Sequence, residues 1–127
     1  MRKNPAFVCA LLIVVIGLSS CHRYMGSRFY PATPRFESTY PGSVELLRRQ
    51  PRRSHIELGE VWIRPEPGMD RYFVENKLRE KAARMGADAL VITVDRYFRD
   101  RVAYRHFRRG TAIYYERQIV GVAIRYR

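Results

Sequence analysis

Cysteine, histidine and acidic residues are scarce here: two cysteines, three histidines and 12 Asp plus Glu against 24 Lys plus Arg in 127 residues. A metal site needs clustered nitrogen, sulfur or carboxylate ligands. His22, His55 and His106 do not converge in any pattern, and His55-Ile56-Glu57 puts at most two ligands on one strand face. Metal is therefore not expected. Nucleophilic catalysis needs a serine or cysteine with an orienting base, yet Ser38, Ser43 and Ser54 stand in turn-like surroundings. Glu75 and Glu80 are each followed four residues later by an arginine, which leaves no carboxylate pair free for acid/base work. Glycine-rich phosphate loops are missing as well. The expectation is a protein without catalytic residues or cofactor, and not an enzyme. A long apolar run is also lacking: Ala6 to Leu18 falls short of the ~20 residues of a spanning helix, and Ser19 and Ser20 interrupt it.

That short run has a different reading. Arg2 and Lys3 form a positive n-region and Ala6 to Leu18 the apolar core of a secretory signal. Leu18-Ser19-Ser20-Cys21 resembles the lipobox of bacterial lipoproteins. The resemblance implies a diacylglyceryl thioether on Cys21, cleavage before it and acylation of the new amine. Residues 1–20 are then a cleaved signal peptide and 21–42 a lipidated cysteine with a tether. His22 rather than aspartate after Cys21 resembles the pattern left in the outer membrane, facing the periplasm. Stable anchoring takes more than one acyl chain, and three would meet that need. Cys9 leaves with the signal and Cys21 carries lipid, so no disulfide braces the mature chain.

Without Arg2 and Lys3 the mature chain keeps 22 basic residues against 12 acidic ones, a formal charge of +10. A basic surface is drawn to anionic polymers and head groups. In the envelope these are lipopolysaccharide, anionic lipid and peptidoglycan, or an envelope protein; nucleic acid is not expected as a partner. General solubilising charge accounts for the same balance.

After Cys21 the stretch 22–42 carries Pro31, Pro34 and Pro41 with no helical or alternating pattern. It reads as an extended tether standing the domain tens of Å off the bilayer. Tyr24, Phe29, Tyr30, Phe36 and Tyr40 either dock on the domain, lie at the membrane interface or bind a partner. Residues 43–127 read as one α+β domain. Ser43 to Leu47 alternates as a short strand, and Arg48 to Arg53 is a turn around Pro51. His55 to Arg64 is a second strand in which Ile56, Leu58 and Trp62 share one parity and Gly59, Val61 and Ile63 the other. Gly59 marks a bulge or a close backbone approach. Asp70 caps a helix that Gly86 closes. Val74, Leu78, Ala82 and Met85 form its buried stripe with Phe73 at the edge, while Glu75–Arg79 and Glu80–Arg84 pair on the solvent side. Asp88 to Phe98 is a third strand, with Leu90, Ile92 and Val94 on one face. Ala112 to Tyr126 is a fourth. The expected architecture is one main helix on a three- to four-stranded sheet in the order β-β-α-β-β.

The run Lys81-Ala82-Ala83-Arg84-Met85-Gly86-Ala87-Asp88-Ala89-Leu90-Val91-Ile92 resembles the signature of the YbjQ-like heavy-metal-binding family and the related Rcs stress-sensor lipoproteins. Leu58-Gly59-Glu60-Val61 and Val120-Gly121-Val122-Ala123-Ile124 echo it more weakly, so the resemblance spans roughly 56–124. It implies a small α+β domain with one helix over a few strands. The Rcs sensor is braced by disulfides that this mature chain cannot make, so a stress-sensing role does not transfer with the fold.

Arg96 to Arg109 stands out chemically: six arginines against Asp100, interleaved with Tyr97, Phe98, Tyr104 and Phe107. Guanidinium forks grip phosphate in two places at once, and aromatic rings settle at lipid interfaces. Arg99, Arg101, Arg105, Arg108 and Arg109 are accordingly the candidate anion- or partner-binding residues, on a hairpin arm. The arm reads equally as a solvated hairpin tip. Two functions remain open: a non-enzymatic envelope binding module, or a structural lipoprotein assembling with itself or with an envelope complex.

Overall fold

The computed structural model describes residues 24–104 and 110–127, with side chains outside 100–114. Five strands and one helix follow in the order β1 (Met25–Phe29), β2 (Glu45–Leu47), β3 (His55–Ile63), α1 (Arg71–Arg84), β4 (Ala89–Tyr104) and β5 (Gly110–Tyr126). The strands form one mixed sheet ordered β1-β3-β5-β4-β2, antiparallel throughout except that β2 runs parallel to β4. The α+β class stands. The sheet has five strands rather than three or four.

The extra strand comes from the stretch expected to be a tether. Met25-Gly26-Ser27-Arg28-Phe29 has no alternating apolar pattern, and Gly26 is a poor strand former. It pairs because β3 offers it an open edge, from Met25 opposite Ile63 to Phe29 opposite Gly59. The chain then crosses to the far end of α1. There the Thr39 amide donates to the Ala83 carbonyl at 2.9 Å and its hydroxyl donates to the Ala87 carbonyl at 2.6 Å. Tyr24, Phe29 and Phe36 pack on the core, whereas Tyr40 is exposed.

Helix α1 begins where Asp70 accepts the amides of Tyr72 and Phe73, at 3.0 and 3.4 Å. Its end is a Schellman arrangement. Gly86, at φ +80°, donates to Ala83, and Ala87 donates to Ala82. Val74, Leu78, Ala82, Ala83 and Met85 are buried against Leu58, Val61, Ile63, Leu90, Ile119 and Ala123 of the sheet. Each large side chain removed from water there contributes about 1.5–3 kcal/mol. On the solvent side Glu75 pairs with Arg71 and Arg79, and Glu80 pairs with Lys77 rather than with Arg84.

Two bulges overturn the parity expected from simple alternation. In β3 the register shifts between Glu57 and Gly59, so Leu58 turns into the helix-covered core while Trp62 stays on the opposite face. Leu58 is the additional residue, and Gly59 beside it supplies the close approach, since a Cβ there would run into the backbone of Arg28 and Phe29. In β4 the shift lies between Ile92 and Val94. Thr93 is the additional residue, and its hydroxyl donates to the Val120 carbonyl at 3.1 Å. Val94 therefore leaves the face of Leu90 and Ile92 for that of Val120 and Val122, and Asp95 takes its place on the helix side.

Candidate functional site

Beyond that bulge, β4 and β5 outrun their neighbours. β2 pairs with β4 only at 89–91, and β3 reaches β5 no further out than Ile119. From Arg96 opposite Gln118 to Tyr104 opposite Gly110 the two strands continue as a two-stranded ribbon. Its backbone register is continuous with the sheet, so the expected hairpin arm is an extension of two core strands, longer than their anticipated ends.

Alternation sorts the ribbon into two faces. Tyr97 and Arg99 share the helix-side face with Tyr115 and Arg117, while Arg96 and Phe98 share the other with Glu116 and Gln118. Tyr97 is 67 % exposed, Tyr115 65 % and Phe98 36 %. The Arg96 guanidinium lies over the Phe98 ring at 4.6 Å and Arg117 over Tyr97 at 5.9 Å. A cation above a ring face is attracted by its quadrupole, so charge and flat apolar surface come as units. Of the candidate residues, Arg99 is exposed on this ribbon. Arg101 occupies the position opposite Ile113, two residues along from Arg99. Cys21, Arg105, Arg108 and Arg109 lie outside the described residues.

The ribbon is rooted by an ionic cluster that simple alternation would not locate. Asp95 accepts two bonds from Arg117, at 2.9 and 3.1 Å, and one from Arg48 at 3.0 Å. The bidentate Arg117 contact holds the Asp95 carboxyl below its ordinary range against the opposing effect of burial, and Arg48 adds to it. Arg117 is raised in turn by Asp95. Across a cleft of about 290 Å³, Glu75 lies between Arg71 and Arg79. Leu46, Val74, Leu78, Ile92 and Ile119 form its apolar floor. An aspartate held ionised by two arginines has no proton to give and little basicity, so this cluster joins the residue after β2 to the base of the ribbon rather than moving protons.

His55 Nδ1 lies 2.7 Å from the Arg53 carbonyl, and Glu57 accepts from Gln50 at 3.3 Å. Among the described residues no three His, Cys, Asp or Glu side chains come together as metal ligands would, and no helix is long and apolar enough to cross a membrane. No family model, curated protein or solved structure matches the chain.

The Asp95 cluster had no signature in the sequence. Asp95 and Arg117 are 22 residues apart, and they meet only because the Thr93 bulge turns Asp95 toward the helix side. The ribbon itself was visible as the arginine-aromatic run.

Proposed function

We propose that this chain is a lipid-anchored, non-enzymatic module of the bacterial cell envelope. Acyl chains on Cys21 hold it in a membrane, in the outer membrane facing the periplasm by the residue after the cysteine. Its ribbon, with Arg99 and Arg101 and the neighbouring Arg105, Arg108 and Arg109, engages an anionic envelope component or a protein partner. The observation that carries this reading is the ribbon: two strands leave the sheet with Arg96, Arg99, Tyr97, Phe98 and Tyr115 exposed and no third strand or helix over them among the described residues. Such a surface, rings for contact and guanidinium groups for anions, suits recognition.

Charge reversal tests it. Arg99→Glu with Arg101→Glu is expected to abolish retention of the lipidated protein on lipopolysaccharide or peptidoglycan, and unchanged retention would remove the proposal.

A second reading is a structural lipoprotein that assembles through its sheet edges. It is favoured by the open edge of β4 outward from Ile92, where β2 no longer pairs. Unpaired strand edges invite further strands. A single monomeric species of the detergent-solubilised protein would exclude its assembling with itself and leave only assembly with an envelope complex.

A further inference from the structure

Strand direction decides at which end of the sheet the described chain begins. Met25, at the start of β1, is opposite Ile63; Ile63 is opposite Ile119, and Ile119 is opposite Asp95. Tyr24 extends this row outward, its carbonyl accepting the Arg64 amide. Tyr24 therefore lies at the same end of the sheet as the ribbon. Two residues, His22 and Arg23, lie between Cys21 and Tyr24, and the three Cα steps reach at most about 11 Å. The strand from Arg96 to Tyr104 extends about 26 Å at ~3.3 Å per residue. The stand-off of tens of Å expected from a long tether does not hold once β1 begins at Met25.

Of the exposed aromatics, all but Tyr40 lie toward the same end. Tyr40, Tyr72, Phe73, Tyr97, Phe98 and Tyr115 are the large hydrophobic side chains exposed among the described residues. Tyr40 lies beside the strap that meets the far end of α1. Tyr72 and Phe73 stand in the first turn of α1, whose Arg71 and Val74 share the cleft with Asp95 and Arg117 at the ribbon base. Residues 96–118 carry seven arginines against Asp100 and Glu116. Rings at the head-group level with cations beside them are how proteins hold a membrane interface.

We infer that this end of the domain is a second membrane contact, in which the ribbon and the first turn of α1 lie on the anionic head-group layer of the bilayer that holds the Cys21 acyl chains. The inference rests on the lipidation proposed above and names the anionic component that the ribbon meets. A ribbon longer than its leash reaches the surface without extending the chain. The short leash also keeps it at high effective concentration there, so individually weak contacts add up.

The full-length protein, with Cys21 lipidation verified by intact mass, tests this in vesicles of phosphatidylglycerol and phosphatidylcholine. With Cys9 cleaved away and the Cys21 sulfur in a thioether, a Tyr115→Cys variant carries one free thiol for a fluorophore. Quenching by aqueous iodide is expected to be several-fold weaker at position 115 than for the same label in Glu45→Cys, at the opposite end of the sheet. The difference should shrink in pure phosphatidylcholine and in the Arg96→Glu, Arg99→Glu background. Equal quenching at both positions in anionic vesicles overturns the inference. If charge reversal in that case still abolishes retention on peptidoglycan, the proposed function survives and the bilayer is not the partner. An unmodified Cys21 removes both.

Discussion

Strands β4 and β5 run through two environments without a break in pairing. At the inner end, Ala89 and Leu90 face Ile124 and Ala123, all fully buried, with α1 on one side. At the outer end, Tyr97 and Arg99 pair with Arg117 and Tyr115, and both tyrosines are about two-thirds exposed. Backbone hydrogen bonding is the same in kind at both ends, so it cannot be what separates core from surface. The missing layer does that: no helix or third strand accompanies the ribbon among the described residues. Composition changes at the same point, from Ala89-Leu90-Val91-Ile92-Thr93-Val94 without a charge to a run in which every few residues is arginine. Stability is thus expected to reside inboard of Asp95 and recognition outboard of it.

The largest effect should come from the inner end. Leu90→Ala deletes a fully buried side chain packed beside Gly121, and such deletions cost about 2–5 kcal/mol. Urea denaturation followed by the fluorescence of Trp62, the sole tryptophan, would measure it. A loss under 1 kcal/mol would mean that the inner end is not the stabilising one. Gly86→Val comes next. It places a β-branched residue at φ +80° with its Cβ within 2.8 Å of Phe36 and Glu37, and a loss of about 1–3 kcal/mol is expected. The same titration reads it.

These residues also show what was legible in advance. The helix was, because Asp70, Gly86 and the stripe from Val74 to Met85 act within a few residues of each other, where local chemistry decides. The inner strands were legible for the same reason. β1 was not, since Gly26, Ser27 and Arg28 become a strand only through the edge of β3. The faces of Leu58, Trp62 and Val94 were misassigned by alternation alone. A bulge depends on the partner strand's register, and neither Gly59 nor Thr93 states on its own how many residues oppose it. At the site, Arg99 and its aromatic neighbours were readable as a charged run. The Asp95 cluster and the gathering of Tyr72, Phe73, Tyr97 and Tyr115 at one end required the topology.

Asp95 stands at the boundary between the two ends, and its removal should be felt by both. Asp95→Asn breaks the charge-assisted contacts with Arg117 and Arg48 and is expected to cost about 1–2 kcal/mol near neutral pH. The pH dependence is specific. Because the folded carboxyl titrates below its ordinary value, the unfolded chain takes up a proton first as pH falls. Its contribution is therefore complete above the unfolded value near ~4 and fades as pH drops through the lower folded value. The difference between wild type and Asp95→Asn should narrow over that acidic window, and a difference independent of pH would show that the two arginines do not hold the charge.

The smallest effect on stability should come from the outer end. Tyr97→Ser removes a ring that is mostly in water already, and Arg99→Glu alters an exposed cation with no carboxylate partner among the described residues. Surface changes of this kind stay within ~0.5 kcal/mol, so both variants should unfold at the wild-type urea concentration. The same two changes should nevertheless weaken retention on anionic material, Arg99→Glu more than Tyr97→Ser, since it reverses a charge rather than deleting a contact. If Tyr97→Ser instead destabilised the fold by 1 kcal/mol or more, its ring would be packing material for the Arg117–Asp95 root, and the division between a stabilising inner end and a recognising outer end would have to move outward along the ribbon.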